Sequence, residues 1–390
     1  MYKAPLHIYV VWHPSYPHGA KLADQIYSCY SRDISDPLSR GIGIPVFYRS
    51  APYEDDLPRP IKLSEATRTA VILLIDNECV IDWKTYAKQL KDQLDKAGAQ
   101  HRMIPIAISA NAFNIGKPVS NVNFIRLHEV SGKERDKKLF TPLTHELCRL
   151  MNGAPRLSEG TGKNYSAAPV KLFISHAKKD GEEIAIKMRD AAQADTAVKT
   201  FFDAIDIAQG YDMRNEMAGQ VESSALLVVQ TDAYASREWC RWEVLRAKKN
   251  NRPVIVINAV REGEKRSFPY LGNVPTIRWN YGVRNDRQIR KILELTLMEV
   301  LRFYYTYEFI SKRPGLSIIT KVRKHRILAS PPELLTLIRK ATEDETKGNV
   351  VIYPDPPLTA EELDLLQEVT EDINYLTPTM LAAYQATFKK

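Results

Sequence analysis

The sequence predicts an α/β protein with two doubly wound, parallel-sheet domains in tandem and a small α/β module at the C-terminal end. Three observations support this prediction. Continuous apolar runs of strand length, such as residues 71–75 and 225–229, alternate with stretches of helical period, as in sheets whose strands are buried on both faces. The order of these elements repeats once along the chain. A chain of 390 residues is also too long for one ordinary hydrophobic core.

The first half, residues 1–150, opens with a predicted strand at residues 6–11 and a predicted helix near residues 20–30. Two further buried strands are predicted at residues 71–75 and 104–108. The stretch that follows, residues 151–169, is rich in Gly, Ser, Ala and Pro and has no apolar period. We therefore expect a linker there.

The second half, residues 170–309, repeats the alternation of strands and helices. Strands joined by helices predict a parallel, doubly wound sheet. The predicted strands are residues 170–174, 199–202, 225–229 and 254–257, and the predicted helices are residues 181–194, 213–223, 238–249 and 286–305.

The tail, residues 310–390, is predicted to be a small accessory α/β module. Short strands are expected at residues 326–328 and 350–353, and a helix is expected after Pro331. Thr359 and Glu362 form a Thr-x-x-Glu pattern, which predicts a capping box at the start of the last helix. The tail contains no pattern of residues that indicates chemistry.

Composition and charge narrow the class of protein. Hydrophobic residues make up 44% of the chain and charged residues 26%, as in globular proteins. The sequence shows no secretory leader, no bilayer-spanning apolar run and no CxxC pair, so we expect a cytoplasmic protein without a membrane contact, a disulfide or a zinc site. The net charge of +8 is dispersed, so nucleic acid is not expected as a partner, whereas an anionic dinucleotide would suit a mildly basic surface.

The two halves can be aligned with each other, which predicts a duplication. The spacing between a phenylalanine and the following buried strand is 24 positions in both halves. The alignment pairs Phe47 with Phe202 and Val71 with Leu226, Val10 to His13 with Phe173 to His176, and, after one unpaired residue, Trp83 with Trp239.

Several short motifs of the second half stand in a consistent order and spacing. They are Leu172 to His176 at the end of the first strand, Phe202 and Asp203 after the second, Asp206 to Gly210, Ser223 and Ser224, Tyr234 to Ser236, and Trp239 to Glu243 as W-x-x-x-E. Together, over residues 170–305, these motifs resemble the TIR (Toll/interleukin-1 receptor) domain of bacterial proteins. The resemblance implies a flavodoxin-like fold in which Asp206 to Gly210 form the BB loop. A W-x-x-x-E pattern alone would say little, because it fits many amphipathic helices.

The resemblance also implies an activity. In catalytic members of this family the motif glutamate is required to cleave the nicotinamide–ribose bond of NAD⁺. It therefore implies an NAD⁺ glycohydrolase or cyclase in antiphage defence or immune-type signalling, with Glu243 as the catalytic residue, NAD⁺ as substrate, no other cofactor and no metal. The residues it assigns to substrate binding are Phe173, Ser175, His176, Asp203 and Trp239, and those it assigns to BB-loop assembly with other TIR domains or a defence partner are Asp206, Ile207 and Gly210.

The residue types are compatible with this reaction. Trp239 and Glu243 are four positions apart, so they share one face of a helix. Nicotinamide leaves a cationic pyridinium as a neutral molecule, so the reaction needs no general acid, unlike ordinary glycosidases with two carboxyl groups. A carboxylate about 4 Å away stabilises the positive charge growing on the ribose by on the order of a few kcal/mol.

Other interpretations of the same residues stay open. Glu243 could be a solvated helix residue or a partner of Arg246, Trp239 could be a core residue, and His176 could be structural. Asp203 could serve the turn chemistry of its loop. The protein could also be a non-catalytic TIR adaptor that acts by TIR–TIR assembly, or a nucleoside 2-deoxyribosyltransferase-like enzyme.

The first half departs from the motif pattern. Ala87 stands at the position of the motif glutamate, Trp12 at that of the strand-end serine and Tyr48 at that of the loop aspartate. The loop at residues 52–60 is rich in proline and acidic residues. Residues 1–150 are therefore predicted to be a degenerate TIR-like domain that has kept the fold and lost the site.

Overall fold

The chain forms two compact units, Met1–Ala168 and Pro169–Lys390. Each unit has its own parallel sheet and hydrophobic core. The predicted boundaries at residues 150 and 310 stay predictions, and the predicted linker falls almost wholly outside the described residues. The computed structural model describes residues 3–36, 39, 41–130, 132–152, 169–195, 199–201, 213–264, 268–283, 285–313, 325–337, 349–370 and 373–381.

The first unit is built on a doubly wound sheet. Its strands are β1 (Ala4–Trp12), β2 (Val46–Arg49), β3 (Pro52–Glu54), β4 (Leu57–Pro58), β5 (Ala66–Ile75), β6 (His101–Ala107) and β7 (Ile125–Arg126). Five of them are parallel in the order β2-β1-β5-β6-β7, which is the flavodoxin-like order. Its helices are α1 (Gly19–Tyr30), α2 (Asn77–Asp82), α3 (Lys84–Ala97) and α4 (Lys133–Asn152).

The antiparallel hairpin β3–β4 is an element that the sequence did not predict. Its turn is formed by Asp55 and Asp56, which have φ values of 50° and 55°. Positive φ at both central residues is what a tight hairpin turn requires, and glycine or asparagine is its usual signal. Because Asp55 and Asp56 occupy these positions, the sequence lacks the usual signal of a hairpin turn.

The second unit contains a sheet of the same order. The strands of this sheet are β8 (Lys171–His176), β9 (Lys199–Phe201), β10 (Ala225–Gln230), β11 (Val254–Asn258) and β12 (Thr276–Arg278). The helices that connect and follow them are α5 (Glu182–Asp195), α6 (Met213–Ser223), α7 (Glu238–Lys249) and α8 (Asn285–Ser311). All five strands are parallel in the order β9-β8-β10-β11-β12. Phe202, the last residue of a predicted strand, lies outside the described residues.

A smaller parallel sheet follows in the tail, in the order β13 (His325–Ile327), β14 (Asn349–Ile352) and β15 (Ile373–Leu376), with helices α9 (Leu334–Leu337) and α10 (Ala360–Val369). The predicted capping box is confirmed, since Thr359 N–H donates to Glu362 Oε2 at 2.9 Å and Glu362 N–H donates to Thr359 Oγ1 at 3.3 Å. The predicted α/β fold class, with two doubly wound sheets and a small α/β module, is confirmed. Within the described ranges, no helix combines the length and apolarity needed to cross a bilayer.

The hydrogen-bond ladders correct the alignment of the two halves by one residue. Tyr9 is paired with Phe47 and Val71, whereas Phe173 is paired with Phe201 and Leu226. Tyr9 lies three residues before the end of β1, and Phe173 lies three residues before the end of β8. Phe47 therefore corresponds to Phe201 rather than to Phe202.

The same shift applies at the end of the first strand. Trp12, the last residue of β1, corresponds to His176, the last residue of β8, and Val11 corresponds to Ser175. The prediction that Trp12 aligns with Ser175 was wrong. It matched two histidines by identity, whereas the register is set by the pairing of buried strands across the sheet.

Candidate functional site

The candidate site lies at the carboxyl edge of the second sheet, where β8 and β10 end side by side. The order of the strands reverses between these two neighbours, and ligands of open α/β sheets bind at such a switch point. Ser175 and His176 are the last two residues of β8. Tyr234 lies in the connection from β10 to α7, and Glu243 lies on α7.

Helix α7 places Glu243 against the sheet. Cys240, Val244 and Ala247 form an apolar stripe at helical spacing and pack into the core of the second unit. Glu243 borders this stripe and is only 6% exposed. The open interpretation of Glu243 as a solvated helix residue was therefore wrong.

Glu243 is bonded to the end of β8. The Ser175 hydroxyl donates a short hydrogen bond to Glu243 Oε2, although 68 positions separate the two residues. The alternative partner, Arg246, instead forms an ion pair with Glu222 at 2.5 Å and lies over the ring of Trp242.

Tyr234 extends this contact into a chain of hydrogen bonds. Its hydroxyl lies 2.6 Å from Ser175 Oγ and 3.3 Å from the carbonyl oxygen of Cys240. Because Ser175 gives its one hydrogen to Glu243, the single hydrogen of Tyr234 is shared between Ser175 Oγ and the carbonyl oxygen of Cys240. Burial, with the Cys240 thiol and the Glu243 carboxylate nearby, raises the pKa of Tyr234 well above its usual value, so the phenol is protonated. No role was predicted for Tyr234, although its motif between a strand and a helix is visible in the sequence.

His176 is buried beneath the start of the connection to α5. It is 8% exposed, and its carbonyl oxygen accepts from Cys240 Sγ at 3.4 Å. A Cβ at Gly181 would lie 3.3 Å from His176 Cβ, so the backbone approaches the histidine closely there. These contacts tie β8 to α7 on one side and to the loop before α5 on the other.

The aromatic residues predicted to bind substrate are not brought together. Phe173 is 1% exposed and belongs to the core. Trp239, in contrast, is 42% exposed and makes an edge contact with Trp242 at 5.7 Å between ring centroids. The interpretation of Trp239 as a core residue was wrong. Glu243 lies one turn further along α7, where the sheet covers it.

Four of the predicted residues cannot be compared with the structure. Asp203, Asp206, Ile207 and Gly210 lie outside the described residues. Their assigned roles stay predictions.

Two aspartates that the sequence analysis missed shape the loops of this edge. Asp180 accepts from the Thr231 hydroxyl at 2.6 Å and from the Ala233 N–H at 2.9 Å. Asp232 accepts from three successive N–H groups that begin at Arg261, and these bonds, led by that of Gly263, lower the pKa of Asp232. Both aspartates therefore organise loops. Across the described part of the chain, no group of three or more His, Cys, Asp or Glu could hold a metal ion.

Three comparisons with known proteins bear on this region of the chain. A family model described as TIR domain matches residues 172–293, so the chain contains a TIR domain that runs from β8 into α8. The TIR domains in the structure of the activated Roq1 resistosome, which directly recognises the pathogen effector XopQ, are similar at 18% sequence identity with a TM-score of 0.21. That similarity covers 23% of this chain and 58% of the other chain. No curated protein sequence matches the chain.

Proposed function

We propose that the TIR domain of this chain cleaves the nicotinamide–ribose bond of NAD⁺, giving nicotinamide and ADP-ribose or its cyclic form, with Glu243 as the catalytic carboxylate. One observation carries the proposal. A carboxylate on the helix after β10 is held by a serine at the end of β8, at the edge where α/β sheets bind ligands.

The chemistry requires one anion. The bond from the ribose C1′ to the ring nitrogen breaks, its electron pair stays with the nitrogen, and nicotinamide departs neutral. Positive charge then grows on the ribose, and water or an adenine nitrogen attacks it. A fixed carboxylate in a partly dry site stabilises that charge by on the order of a few kcal/mol, or about two to three powers of ten in rate.

Ser175 and Tyr234 serve the same carboxylate in this proposal. The serine donates to one oxygen of Glu243 and holds the carboxylate at the end of β8. Tyr234 donates to Ser175 and stays protonated because it is buried. A donor chain that is already ordered keeps the carboxylate in place without reorganisation during the reaction.

A second candidate function is a non-catalytic adaptor that acts by TIR–TIR assembly. The observation that favours it is the 6% exposure of Glu243, because a carboxylate this buried can serve packing alone. Exposed Trp239 would then be available to a protein partner.

Incubating the purified chain with NAD⁺ and chromatographing the products separates these functions. We expect nicotinamide and linear or cyclic ADP-ribose, and a decrease of about 10²-fold or more in Glu243→Gln, which keeps the size of the side chain and removes its charge. Glu238→Gln is the matched control, because Glu238 is an exposed glutamate on the same helix and should leave turnover unchanged.

The outcomes are distinct. Intact NAD⁺ at all protein concentrations would support the adaptor. Intact NAD⁺ together with base exchange on deoxynucleosides would indicate the deoxyribosyltransferase-like alternative. Equal turnover in folded Glu243→Gln and wild type would end the catalytic assignment.

We also propose that activity rises when TIR domains assemble through the loop of Asp206, Ile207 and Gly210. A bulky side chain at Gly210 should then impair self-association and NAD⁺ cleavage together, since glycine permits turns that a Cβ hinders. Light scattering and turnover measured on the same samples would test this. A dilute monomer that cleaves NAD⁺ at the full rate per molecule would contradict it.

We propose further that residues 1–150 are a TIR-like domain that regulates the catalytic domain without contributing residues to its chemistry. The support is the shared strand order of the two sheets and the absence of a glutamate at the position of Ala87. Deleting residues 1–160 should change the regulation of NAD⁺ cleavage and keep the chemistry. A folded fragment that recovers activity only when residues 1–150 are added would overturn this role.

A further inference from the structure

The C-terminal end of α7 is held by a charged contact from the tail. Lys248, in the last turn of α7, is 6% exposed, and its Nζ donates to both carboxylate oxygens of Glu333 at 2.9 and 2.8 Å. A buried ammonium is costly unless it is paired. The burial of Lys248 therefore depends on a residue that lies 85 positions further along the chain.

Two backbone contacts join the same elements. Arg326 Nη2, from β13, donates to the carbonyl oxygen of Lys249 at 3.4 Å. Asn251 Nδ2 donates to the carbonyl oxygen of Ile327 at 3.4 Å. The last carbonyl groups of a helix have no partner within the helix, and the tail supplies a donor to one of them through Arg326. Both contacts are long, and the two-oxygen ion pair is the strongest link of the three.

Glu333 is itself held in a fixed turn. Its N–H donates to Thr336 Oγ1 at 2.9 Å, and the Thr336 hydroxyl donates back to the Glu333 carbonyl oxygen at 2.8 Å. Leu335 and Leu337, on α9 directly after it, are buried. The carboxylate that meets Lys248 is thus presented by a packed element.

Lys248 and Glu243 are on one continuous helix, five residues or about 7.5 Å apart along its axis. The helix is held near its start by the contact of Cys240 with His176, in its middle by Glu243 and Ser175, and at its end by Glu333. A short helix moves as one body, so the last contact restricts the tilt and the register of the first two.

We propose that Lys248 and Glu333 are positioning residues for the reaction at Glu243: their ion pair fixes α7 so that the Glu243 carboxylate keeps its place against Ser175. This inference rests on the proposed NAD⁺ cleavage. It gives the tail a defined role in that reaction, exerted through α7 and without contact with the substrate.

Steady-state kinetics on the full chain test the role. Lys248→Met and Glu333→Gln should each lower kcat by about ten- to hundredfold with little change in KM, since small misplacements of a reacting group have effects of this size. Lys248→Arg, which can still pair with both oxygens of Glu333, should restore most of kcat. Lys249→Met removes a neighbouring exposed lysine from the same turn and should have no effect.

The double variant Lys248→Met/Glu333→Gln distinguishes a pair from two separate contributions. If the two residues act through each other, the double variant should be no slower than the slower single variant. Multiplicative losses in the double variant, an unchanged kcat in folded single variants, or a higher kcat would each overturn the positioning role.

Hydrogen exchange gives a readout that does not depend on NAD⁺. The amides of residues 241–249 should exchange at least about tenfold faster in Lys248→Met and in Glu333→Gln than in wild type or Lys249→Met. Unchanged protection would overturn the coupling of α7 to the tail. If wild type fails to cleave NAD⁺ while the exchange result holds, the proposed function and the catalytic role of the pair fail, and the mechanical coupling alone is supported.

Discussion

The two sheets share one strand order, yet the corners where their central strands end differ in chemistry. In the first unit, Val11, Cys79 and Ala87 lie within one apolar cluster. In the second unit, Ser175, Tyr234 and Glu243, the predicted counterpart of Ala87, form a chain of hydrogen bonds. Val11 and Ser175 correspond by their strand pairing, and Cys79 and Tyr234 each lie four residues beyond a central strand.

Trp83 and Trp239 also differ between the two units, in how far each ring is buried. Trp83 is 3% exposed and packs edge-on against His13 and Tyr86. Trp239, its predicted counterpart, is 42% exposed and lies beside Trp242. Trp83 therefore belongs to the core of the first unit, whereas Trp239 lies at the surface of the second.

This contrast indicates that the three positions are polar together or apolar together. A buried hydroxyl or carboxylate that loses one partner is left unsatisfied, which costs about 1–3 kcal/mol, whereas replacing all partners by apolar groups can be nearly neutral. The first unit has apolar or weakly polar residues at all three positions. Four sets of variants test this difference between the two units.

The largest expected difference in unfolding free energy is between alanine substitutions of Trp83 and Trp239. Trp83→Ala removes a fully packed ring and should destabilise the first unit by about 3–5 kcal/mol. Trp239→Ala removes a half-exposed ring and should change the stability of the second unit by about 1 kcal/mol or less. Denaturant unfolding of the full chain, with hydrogen exchange to assign each transition to its unit, measures both. Equal losses at the two positions would contradict the assigned packing.

Placing a glutamate at position 87 should destabilise the first unit. Ala87→Glu places a carboxylate in an apolar cluster without a serine donor, so we expect a loss of about 3 kcal/mol at neutral pH. Burial raises the pKa of such a carboxyl above its unfolded value, so the loss should be smallest below about pH 4 and grow as the pH rises.

Ala87→Gln is the control for the size of the new side chain, and it should show no such dependence on pH. Neither variant should add NAD⁺ cleavage to a Glu243→Gln background. Activity that returned with Ala87→Glu would show that the first unit retains a working site.

Removing the donor to Glu243 should have a smaller effect. Ser175→Ala removes the serine donor from a buried carboxylate oxygen of Glu243 and should cost about 2 kcal/mol of unfolding free energy, with a parallel loss of turnover. The reciprocal change, Val11→Thr, places a hydroxyl in the apolar corner and should cost about 1–2 kcal/mol. Thermal unfolding of both variants checks these values, and a neutral Ser175→Ala would mean that Glu243 is satisfied without the serine.

The smallest effect concerns the two buried tyrosines. Burial raises the pKa values of Tyr30 and Tyr234 well above their usual value. The pKa of each tyrosine in the folded state exceeds the unfolded value of about 10. The unfolding free energy is therefore unaffected by these groups below about pH 10, and it falls above that pH by about 1 kcal/mol per tyrosine at pH 11.

The unfolding free energy should decline between pH 9 and 11 in the wild type. Tyr234→Phe and Tyr30→Phe should each make that decline smaller by about 1 kcal/mol. The exposed Tyr270 is the control, and Tyr270→Phe should leave the decline unchanged. An identical decline in all variants would show that other groups dominate.

Prediction from sequence succeeded where one local pattern was sufficient. The runs at residues 71–75 and 225–229 are apolar throughout, and both lie in central strands. The edge strands β7 and β12 have two and three residues, which is too short for any periodicity. The W-x-x-x-E pattern drew attention to Glu243, but helical spacing alone could not reveal that Glu243 is covered while Trp239 is exposed.

Sequence alone was sufficient to predict the alternation of buried strands and helices, the capping box at Thr359 and the position of Glu243 on a helix, because these depend on residues a few positions apart. Three features required the folded chain: the register of β1 and β8, the hydrogen bond from Ser175 and the ion pair of Lys248 with Glu333. The last two join residues 68 and 85 positions apart. Such partners are chosen by which surfaces pack together and by the need to pair every charge and hydroxyl that packing buries.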